Sequence, residues 1–492
     1  MRVLITSPPA YINNPDKHYV QAGSRWSFSM DIPKKGGQKD HYLPYPFFLG
    51  YTTSLLKQKS NVVVKALDPC ALDYDEKDFK NAIQSFSPDL ILVEVPTISF
   101  TLVMNILAEI KNDIGCTVAL SGGHVTALTD EVMTNYSFVD YCLIAEYELT
   151  FIELINHLQK GSNSQKLKEI KGLAFREGDK ICINERRNFL MNLDDLPFPE
   201  RDDLPIEHYH DFEIYGKPSA QMLTSRGCPS NCTFCMERQV MYASPLYRKR
   251  TPRNIISEMI LMKNKYGAKQ IYFDDETMAM HRNHITSICN EIIQTRFDMP
   301  WTCMGDITLS YDTLKLMNTA GCVGIKFGVE TIHKGTLHNV QKDFMNIEKV
   351  KQFVKWCKKL GIWTHATYIV GLPGENAKEI QQTLKFAQNL NNDSAQFSIA
   401  TPYPGTPFYE KAKAEGWLTT EDWNMYDGAN QSVVNYPDLS KVEIEELHKN
   451  AVKEYYRKAI IRGLVNPRRI FRLMQAGSLK YAWHKVLNSQ RK

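Results

Sequence analysis

The chain has 492 residues, a formal net charge of +4, 43% hydrophobic residues and 23% charged residues. This length exceeds what one hydrophobic core supports, so two domains with additional segments are expected, and the composition excludes a disordered chain. No uncharged apolar stretch is long enough to span a membrane, and the short apolar run in MRVLITSPPA has no basic region before it and no small-residue cleavage site after it, which argues against a signal peptide. We therefore expect a cytoplasmic protein.

Short β-rich runs alternate with amphipathic segments in the first third of the chain. Five of the runs are typical of buried parallel strands: RVLITS, NVVVKALD, DLILVEV, CTVALSGG and DYCLIA. The alternation predicts an α/β fold, with a doubly wound, Rossmann-like domain over residues 1–155. Because ligands bind at the carboxyl ends of strands in such sheets, the loops that contain Ser7, Pro8, Thr97 and 122–124 are candidate binding segments.

A second series of βα units follows a polar stretch. Residues 156–215 end in NLDDLPFPERDDLP, which predicts a linker or small extension. Six further strand-like runs then follow: AQMLTSRG, KQIYFDD, PWTCMG, GIKFGVE, WTHATYIVG and AQFSIATPYP. They predict a partial (β/α)6 barrel over residues 216–410, with its chemistry at the carboxyl ends of the strands. Residues 411–492 predict a helical, basic C-terminal region.

Three of the eleven cysteines are clustered in SRGCPSNCTFC, directly after the first strand of the predicted barrel. An odd number of cysteines in a cytoplasmic chain argues against a disulfide framework, so Cys228, Cys232 and Cys235 predict a metal site. Three thiolates on one loop hold three irons of a cubane cluster, whose usual complement is four cysteines, and the fourth iron is then open for reaction. The alternative is a zinc site or an electron-transfer cluster with a remote fourth ligand, either Cys303 or Cys322.

The spacing C-x-x-x-C-x-x-C after the first strand of a βα barrel resembles the radical S-adenosylmethionine (SAM) superfamily. The resemblance implies that Cys228, Cys232 and Cys235 hold a [4Fe-4S] cluster. It also implies that SAM binds the unique iron and is cleaved by an electron from the cluster to give a 5′-deoxyadenosyl radical.

The resemblance extends to residues that contact SAM in this superfamily. Phe234 matches the aromatic residue whose backbone lies near the adenine. FDDETM places Asp274, Asp275 and Glu276 where the superfamily binds the ammonium group of SAM. This sequence has Asp-Asp-Glu where the superfamily often has Gly-Gly-Glu, so the acid that makes the contact is left open.

Two later strand ends complete the implied SAM site. Glu330, at the end of FGVE, is implied to contact the ribose or the methionine part of SAM. YIVGLPGE supplies Gly371 and Gly374, which would let the backbone approach the adenine closely. Together these residues predict a SAM site at the carboxyl ends of the barrel strands.

The order of the two domains, with FPERDDLP between them and SIATPYPGTPFYEKAKAEGWL after the barrel, resembles the cobalamin-binding branch of the superfamily. That branch contains class B methylases and relatives of the anaerobic magnesium-protoporphyrin ester cyclase. SGGHVTAL resembles the branch's Gly-Gly-x-His loop, which implies that Gly122, Gly123 and His124 lie near the corrin or its nucleotide tail. No Asp-x-His-x-x-Gly sequence occurs, so a cobalt without a histidine ligand is favoured.

One motif departs from the pattern of this branch. AEYELTF stands where the branch often has Gly-Glu-Gly-Glu-x-Thr, so Ala145 and Tyr147 replace two glycines, while Glu146 and Glu148 are kept. The resemblance implies that Glu146 lies near the cobalamin, and the replacements put a close backbone approach there in doubt.

The sequence therefore predicts a cobalamin-dependent radical SAM C-methyltransferase that functionalises an unactivated carbon of a small-molecule or lipid-like substrate. The alternatives are an oxidative cyclase or rearrangement enzyme with the same cofactors, and a non-catalytic Fe–S protein. A tRNA methylthiotransferase would use a second cysteine trio, and Cys70, Cys116 and Cys142 are candidates for it. An external electron donor such as flavodoxin or ferredoxin is expected, and a nucleic-acid partner is not.

The C-terminal segment has a strong charge bias. From Leu447 to Lys492 there are twelve Lys or Arg residues and one acid, Glu454. Such a segment can contact an anionic membrane surface or a phosphorylated substrate, or it can form the solvated face of a helix. Peripheral membrane contact is therefore one of three open interpretations.

Overall fold

The computed structural model describes residues 1–9, 18–22, 26–30, 43–161, 164–209 and 211–464. The first domain contains nine strands: β1 (Arg2–Thr6), β2 (His18–Ala22), β3 (Trp26–Met30), β4 (Val63–Leu67), β5 (Leu90–Glu94), β6 (Thr117–Ser121), β7 (Tyr141–Leu143), β8 (Leu173–Glu177) and β9 (Lys180–Ile183). Its helices are α1 (Phe47–Lys59), α2 (Pro69–Leu72), α3 (Glu76–Phe86), α4 (Phe100–Ile114), α5 (Gly123–Ala127), α6 (Thr129–Asn135), α7 (Glu148–Gln159) and α8 (Ser164–Leu167).

The main sheet of this domain has the strand order β4-β1-β5-β6-β7-β8-β9, and the first five of these strands are parallel. Side chains alternate between the two faces of each strand, so Val3 and Ile5 pack into one apolar layer and Leu4 into the other. Helices cover both faces, which confirms the doubly wound α/β prediction. Strand β4 pairs with one edge of β1, and β5 pairs with the other edge. The strand order therefore reverses direction at β1, and the topological switch point lies between β1 and β5.

The structure continues without a break across the predicted domain boundary at residue 155. Helix α7 continues through it to Gln159, and β8 and β9 extend the sheet as antiparallel strands. They form a hairpin whose turn contains Gly178 at a φ of +61°. The stretch 156–215 is therefore only partly a linker, because its short apolar runs pair with the sheet.

The second domain contains eight strands: β10 (Ser219–Met222), β11 (Ser225–Arg226), β12 (Arg248–Lys249), β13 (Gln270–Phe273), β14 (Trp301–Met304), β15 (Cys322–Glu330), β16 (Trp363–Val370) and β17 (Ser394–Ile399). Its helices are α9 (Pro252–Asn264), α10 (Arg282–Gln294), α11 (Tyr311–Thr319), α12 (Lys334–Asn339), α13 (Ile347–Leu360), α14 (Ala377–Asn389), α15 (Pro407–Ala414) and α16 (Lys441–Leu464). The six predicted strands form one parallel sheet in the order β10-β13-β14-β15-β16-β17, and β11 and β12 form a separate antiparallel ribbon.

The two faces of the barrel sheet differ in polarity. Outward side chains pack against the helices, as Phe327 does against Phe353 of α13 at 5.0 Å between ring centroids. On the inner face, the register places Lys326 beside His365, and His365 beside Ser394. These three inner side chains are partly exposed. The partial barrel therefore has an apolar outer layer and a polar, accessible inner face.

The C-terminal region is helical only in part. Residues 415–440 separate α15 from α16 and form no helix longer than one turn, with Gly416 and Gly428 at positive φ. The region is therefore helical, as predicted, with an irregular stretch between its two helices, because these glycines take a conformation that an α-helix does not contain. Most of the basic segment, residues 465–492, lies outside the described residues. Within the described residues, no helix has the length and apolar character of a membrane span.

Candidate active site

The cysteine loop begins directly after β11. Cys228, Cys232 and Cys235 are free thiols that are each partly buried. Gly227 allows the chain to enter the loop, because its φ is +93° and a Cβ there would overlap the carbonyl oxygen of Leu246. Burial raises the pKa of all three thiols, to about 11 for Cys232, and the ammonium of Lys342 opposes the rise at Cys228 and Cys232.

The donor set of this loop fits a cubane cluster. No three His, Cys, Asp or Glu side chains of the described chain converge as they would around a single metal ion. A cubane has one thiolate on each iron, so its ligands lie further apart than those of a zinc site. Three reduced thiols on one loop therefore fit the cluster better than a mononuclear metal.

The other cysteines lie elsewhere. Cys303 and Cys322 are fully buried in the apolar layer between the barrel sheet and its helices, and Cys322 raises the pKa of Cys303 through a hydrogen bond between the two thiols. Neither is a remote fourth ligand in this arrangement. Cys116 and Cys142 are buried in the apolar layer on one face of the first sheet, whereas Cys70 packs against the layer on the other face, so these three thiols do not share one loop.

The three acids after β13 have different surroundings. Asp275 is completely buried and accepts hydrogen bonds from the backbone N–H of Thr224 at 2.7 Å, the Thr224 hydroxyl and the Ser225 hydroxyl at 2.5 Å. Asp274 is buried as well. Glu276 is partly exposed, and its carboxylate accepts from the N–H of Gly227 at 3.2 Å and the hydroxyl of Tyr242 at 3.1 Å. Only Glu276 is thus both accessible and adjacent to the cysteine loop.

Asp275 should give the chain a specific pH dependence. Burial raises its pKa to about 6, above the value near 3.9 of an unfolded chain, so the folded state holds the proton more tightly. Its favourable contribution is complete below pH 4 and is lost as the pH rises through about 6, by about 3 kcal/mol in the free energy of unfolding. Urea denaturation of the cluster-free chain from pH 4.5 to 7.5 should show a loss that is larger in the wild type than in Asp275→Asn by about 3 kcal/mol. Parallel pH profiles for the two proteins would contradict the assignment.

Glu330 ends β15 in a strained conformation and is paired with a lysine. Its φ is +62°, which is rare for a residue with a Cβ, and the register of β15 against β16 shifts between Gly328 and Glu330. The Glu330 carboxylate lies 2.5 Å from the Lys342 ammonium and accepts from the Thr367 hydroxyl at 3.3 Å. Burial disfavours the charge of Lys342, but the Glu330 carboxylate, with smaller effects of Cys232 and Asp306, opposes burial and raises the pKa of Lys342. Sequence reasoning missed Lys342, because nothing local in NVQKDF marks it.

The remaining residues predicted near SAM lie around the same strand ends. Phe234 packs against the core of the barrel. Gly371 has a φ of +83° and Gly374 a φ of +88°, and a Cβ on Gly374 would lie 2.5 Å from the side-chain nitrogen of Asn339. The loop after β16 therefore passes close to α12, where only a glycine fits.

The predicted binding loops of the first domain lie at the carboxyl edge of its sheet. Ser7 and Pro8 follow β1 and Thr97 follows β5, on the two sides of the switch point. The hydroxyl of Ser7 donates to Asp68 at 2.8 Å. This edge is where doubly wound sheets bind their ligands.

The Gly122–Gly123 loop follows β6 and contacts the barrel domain. Gly122 has a φ of +105°, and a Cβ there would lie 2.9 Å from the carbonyl oxygen of Val95. A Cβ on Gly123 would overlap the thioether sulfur of Met236, the residue after Cys235. The Gly122–Gly123 loop and the cysteine loop are therefore in contact at the position that a Cβ atom on Gly123 would occupy.

His124 is enclosed by aromatic rings. Its imidazole stacks on Phe100 at 4.1 Å and lies 5.0 Å from Trp423, and its Nδ1 is 3.3 Å from the Thr97 hydroxyl. Burial lowers its pKa to about 3, so the ring is neutral. This packing commits His124 to the core of the loop.

Gly122→Ala should destabilise the chain more than an otherwise similar substitution. The new side chain meets both an unfavourable φ and the close approach of Val95. Gly115→Ala is the matched control, because Gly115 also has a positive φ, +71°, but nothing lies within 4 Å of the point that a Cβ would occupy there. We expect about 1–2 kcal/mol for Gly115→Ala and more for Gly122→Ala, measured by urea denaturation. Gly122 also has a ψ of 175°, in a region that only glycine readily adopts, so equal losses would show that neither this backbone conformation nor the close approach adds a cost.

The AEYE segment after β7 accommodates the two residues that replace glycines, Ala145 and Tyr147. Ala145 takes a φ of +66°, the conformation for which glycine is preferred. Tyr147 is fully buried, and its hydroxyl donates to Glu94 at 2.6 Å, so its side chain fills space inside the domain. Glu146 is paired with Arg226 and Arg248 of the barrel domain.

Comparisons with known proteins agree with this arrangement of the cysteine loop and the barrel. The family model described as "Radical SAM superfamily" matches residues 222–387. The uncharacterized methyltransferase PH0819 of Pyrococcus horikoshii is 31% identical over 413 residues, which cover 84% of this chain and 87% of that protein. The chain belongs to the radical SAM superfamily. This confirms the predicted superfamily.

Two further proteins relate the chain to particular members of the radical SAM superfamily. The anaerobic magnesium-protoporphyrin IX monomethyl ester cyclase of Cereibacter sphaeroides is 22% identical and covers 84% of this chain and 67% of its own length. The solved structure of the radical SAM methyltransferase TsrM from Kitasatospora setae, with cobalamin and a [4Fe-4S] cluster bound, has a TM-score of 0.64 at 16% identity. It covers 85% of this chain and 76% of that one, so the two proteins share a fold across both domains.

Proposed function

We propose that this radical SAM protein is a cobalamin-dependent methyltransferase that acts on an unactivated carbon of a small molecule. The observation that carries the proposal is the contact between the cysteine loop and the Gly122–Gly123 loop, where Met236 occupies the space beside Gly123. A cluster site and a corrin site would be neighbours in such an arrangement. When bound, the cluster supplies the electron that cleaves SAM, and cobalamin supplies a carrier for the methyl group.

The chain's own residues would bind and orient SAM. Cys228, Cys232 and Cys235 would hold the cluster, and Glu276 is the acid best placed to accept the ammonium of SAM because it is accessible and bonded to Gly227. Lys342, which interacts electrostatically with Glu330 and Cys232, has the charge to bind the SAM carboxylate. The Gly371 and Gly374 loop would pack on the adenine.

The first domain would bind cobalamin at the carboxyl edge of its sheet. Ser7, Pro8 and Thr97 flank the switch point, and Gly122 and Gly123 follow β6 at the same carboxyl edge. The three thiols of the cysteine loop and this carboxyl edge thus fit the [4Fe-4S] cluster and the cobalamin that TsrM holds.

Methyl transfer is favoured over cyclisation. PH0819 and TsrM, the first at higher identity than the cyclase, are both named methyltransferases. The cyclase keeps oxidation or ring formation as the second candidate. Product analysis distinguishes the two, because only methyl transfer releases S-adenosylhomocysteine together with 5′-deoxyadenosine.

We also propose two partners of the protein, an electron donor and a membrane surface. Reductive cleavage of SAM requires an external electron donor such as flavodoxin or ferredoxin. The basic residues beyond 464 would account for peripheral contact with an anionic membrane surface.

The test is 5′-deoxyadenosine formation from SAM after anaerobic reconstitution, with dithionite as reductant. The wild type and Cys182→Ala should form it, because Cys182 lies on β9 outside the cysteine loop. Cys232→Ala should fall to the background without enzyme. A wild type that holds its full cluster and forms no 5′-deoxyadenosine would contradict the proposal and favour an electron carrier.

A further inference from the structure

A buried group of four charged side chains joins the first domain to the cysteine loop. Its carboxylates, Glu146 and Glu148, follow β7, and its guanidinium groups, Arg226 and Arg248, lie on β11 and β12. Each of the four side chains is 10% exposed or less. Because two negative and two positive charges are buried together, each depends on the others for its stabilisation.

The geometry fixes Glu146 from two sides. Arg248 binds its carboxylate in bidentate fashion, with distances of 2.8 Å from Nη1 to Oε2 and 2.6 Å from Nη2 to Oε1. Arg226 Nη1 lies 3.4 Å from Oε1 of Glu146. Arg226 Nη2 is 2.7 Å from Glu148 Oε1, a charge contact whose angle lies outside hydrogen-bond geometry. A bidentate pair resists rotation as well as separation.

Aromatic rings and a small cavity complete the enclosure. The guanidinium of Arg226 lies 4.9 Å from the rings of both Phe48 and Tyr51 on α1, and that of Arg248 lies 4.6 Å from Phe189. The cavity beside Glu146 and Arg226 has about 20 Å³, which holds about one water molecule. Bulk solvent therefore does not replace these contacts.

The group is continuous with the start of the cysteine loop. Arg226 and Arg248 are cross-strand partners in the ribbon, and Arg226 directly precedes Gly227 and Cys228. The Arg248 guanidinium also lies 5.7 Å from the ring of Tyr242, whose hydroxyl donates to Glu276. A displacement of Glu146 would therefore move Arg226, which precedes the cysteine loop, and Tyr242, which follows it.

We propose that Glu146 and Arg248 are positioning residues that hold the cysteine loop at a fixed distance from the carboxyl edge of the first sheet. This inference rests on the proposed function, since the two parts held together would carry the cluster and cobalamin. Interfaces between domains of one chain permit relative motion unless specific contacts prevent it. The pairings of Glu146 with Arg226 and Arg248 supply such contacts directly before the cysteine loop begins.

The test compares Glu146→Gln and Arg248→Lys with the wild type, in the reconstituted holoenzyme. Arg248→Lys keeps the charge and removes the bidentate geometry. Glu153→Gln is the control, because Glu153 also pairs with an arginine, Arg187, but is 47% exposed. The first measurement is amide hydrogen exchange of residues 224–242, and the second is the distance distribution between the reduced cluster and cob(II)alamin by pulsed electron paramagnetic resonance.

We expect exchange in residues 224–242 to rise roughly 2- to 30-fold in Glu146→Gln and Arg248→Lys, and the distance distribution to broaden, while Glu153→Gln matches the wild type. Unchanged exchange and an unchanged distribution would overturn the inference. Loss of cobalamin from Glu146→Gln with an intact cluster and unchanged exchange would also overturn it, because Glu146 would then bind the cofactor itself. If Glu146→Gln does not fold, Arg248→Lys decides.

Failure of the proposed function gives a different result. A wild type that takes up no cobalamin contradicts the proposed function, and hydrogen exchange still reports whether Glu146 holds the loop. A wild type with both cofactors and no response to either substitution contradicts only the positioning role.

Discussion

Lys342→Met should lower the free energy of unfolding by about 3–5 kcal/mol, because it leaves the Glu330 carboxylate buried without its cation. Both side chains of this pair are only 9% exposed, so water cannot replace the lost partner. The Glu330 backbone is already strained by its positive φ. Urea denaturation of the cluster-free chain measures the loss, and SAM affinity of the reconstituted protein should fall in parallel.

A double-mutant cycle separates this pair from a general packing defect. Glu330→Gln alone should also be strongly destabilising, whereas Lys342→Met combined with Glu330→Gln should cost less than the sum of the two single changes. Lys351→Met is a suitable control, because Lys351 is 53% exposed and its pair with Glu348 should contribute less than about 1 kcal/mol. Additive single and double losses would contradict a direct pairing.

Arg226→Met should have an effect of similar size, again about 3–5 kcal/mol, because Arg226 is the cation paired with Glu148 and one of two paired with Glu146. The cysteine loop is not expected to keep its arrangement, since Arg226 directly precedes Gly227. Urea denaturation and iron content after reconstitution are the measurements.

Arg187→Met is the matched control for this substitution. Arg187 pairs with Glu153, which is 47% exposed, so the loss should be about 1 kcal/mol or less. Equal losses for Arg187→Met and Arg226→Met would contradict the dependence on burial. Normal iron content in Arg226→Met would contradict the link between this arginine and the cysteine loop.

The strands of both domains could be predicted because their residues carry the signal locally. DLILVEV and WTHATYIV are β-rich runs whose burial follows from composition, and both form strands of parallel sheets. The β8–β9 hairpin was missed because its apolar residues are few, although REGDK contains a turn signal at Gly178. The irregular stretch 415–440 was missed because α15 and α16 on either side are helical.

The candidate site was predictable where the chemistry is contiguous. Three cysteines in one loop can be recognised from the sequence alone. The accessible acid among Asp274, Asp275 and Glu276 could not be chosen in advance, because neighbouring positions differ only in the direction of their side chains. The fold sends Asp275 into the interior and leaves Glu276 beside Gly227.

Pairs that are distant in sequence could not be found in advance. Lys342 reaches Glu330 only because α12 and the residues after it return to the end of β15. Glu146 and Arg248 are separated by 102 positions, and only the packing of the two domains brings them together. These are the contacts that local patterns do not encode.

Iron and cobalt content of the anaerobically reconstituted chain tests the central proposal most directly. The chain would be supplied with iron, sulfide and hydroxocobalamin and then freed of unbound cofactor before analysis. About four irons and about one cobalt per chain are the predicted result for a cobalamin-dependent radical SAM methyltransferase. Four irons without cobalt would contradict it, and would leave a radical SAM protein whose first domain does not bind cobalamin.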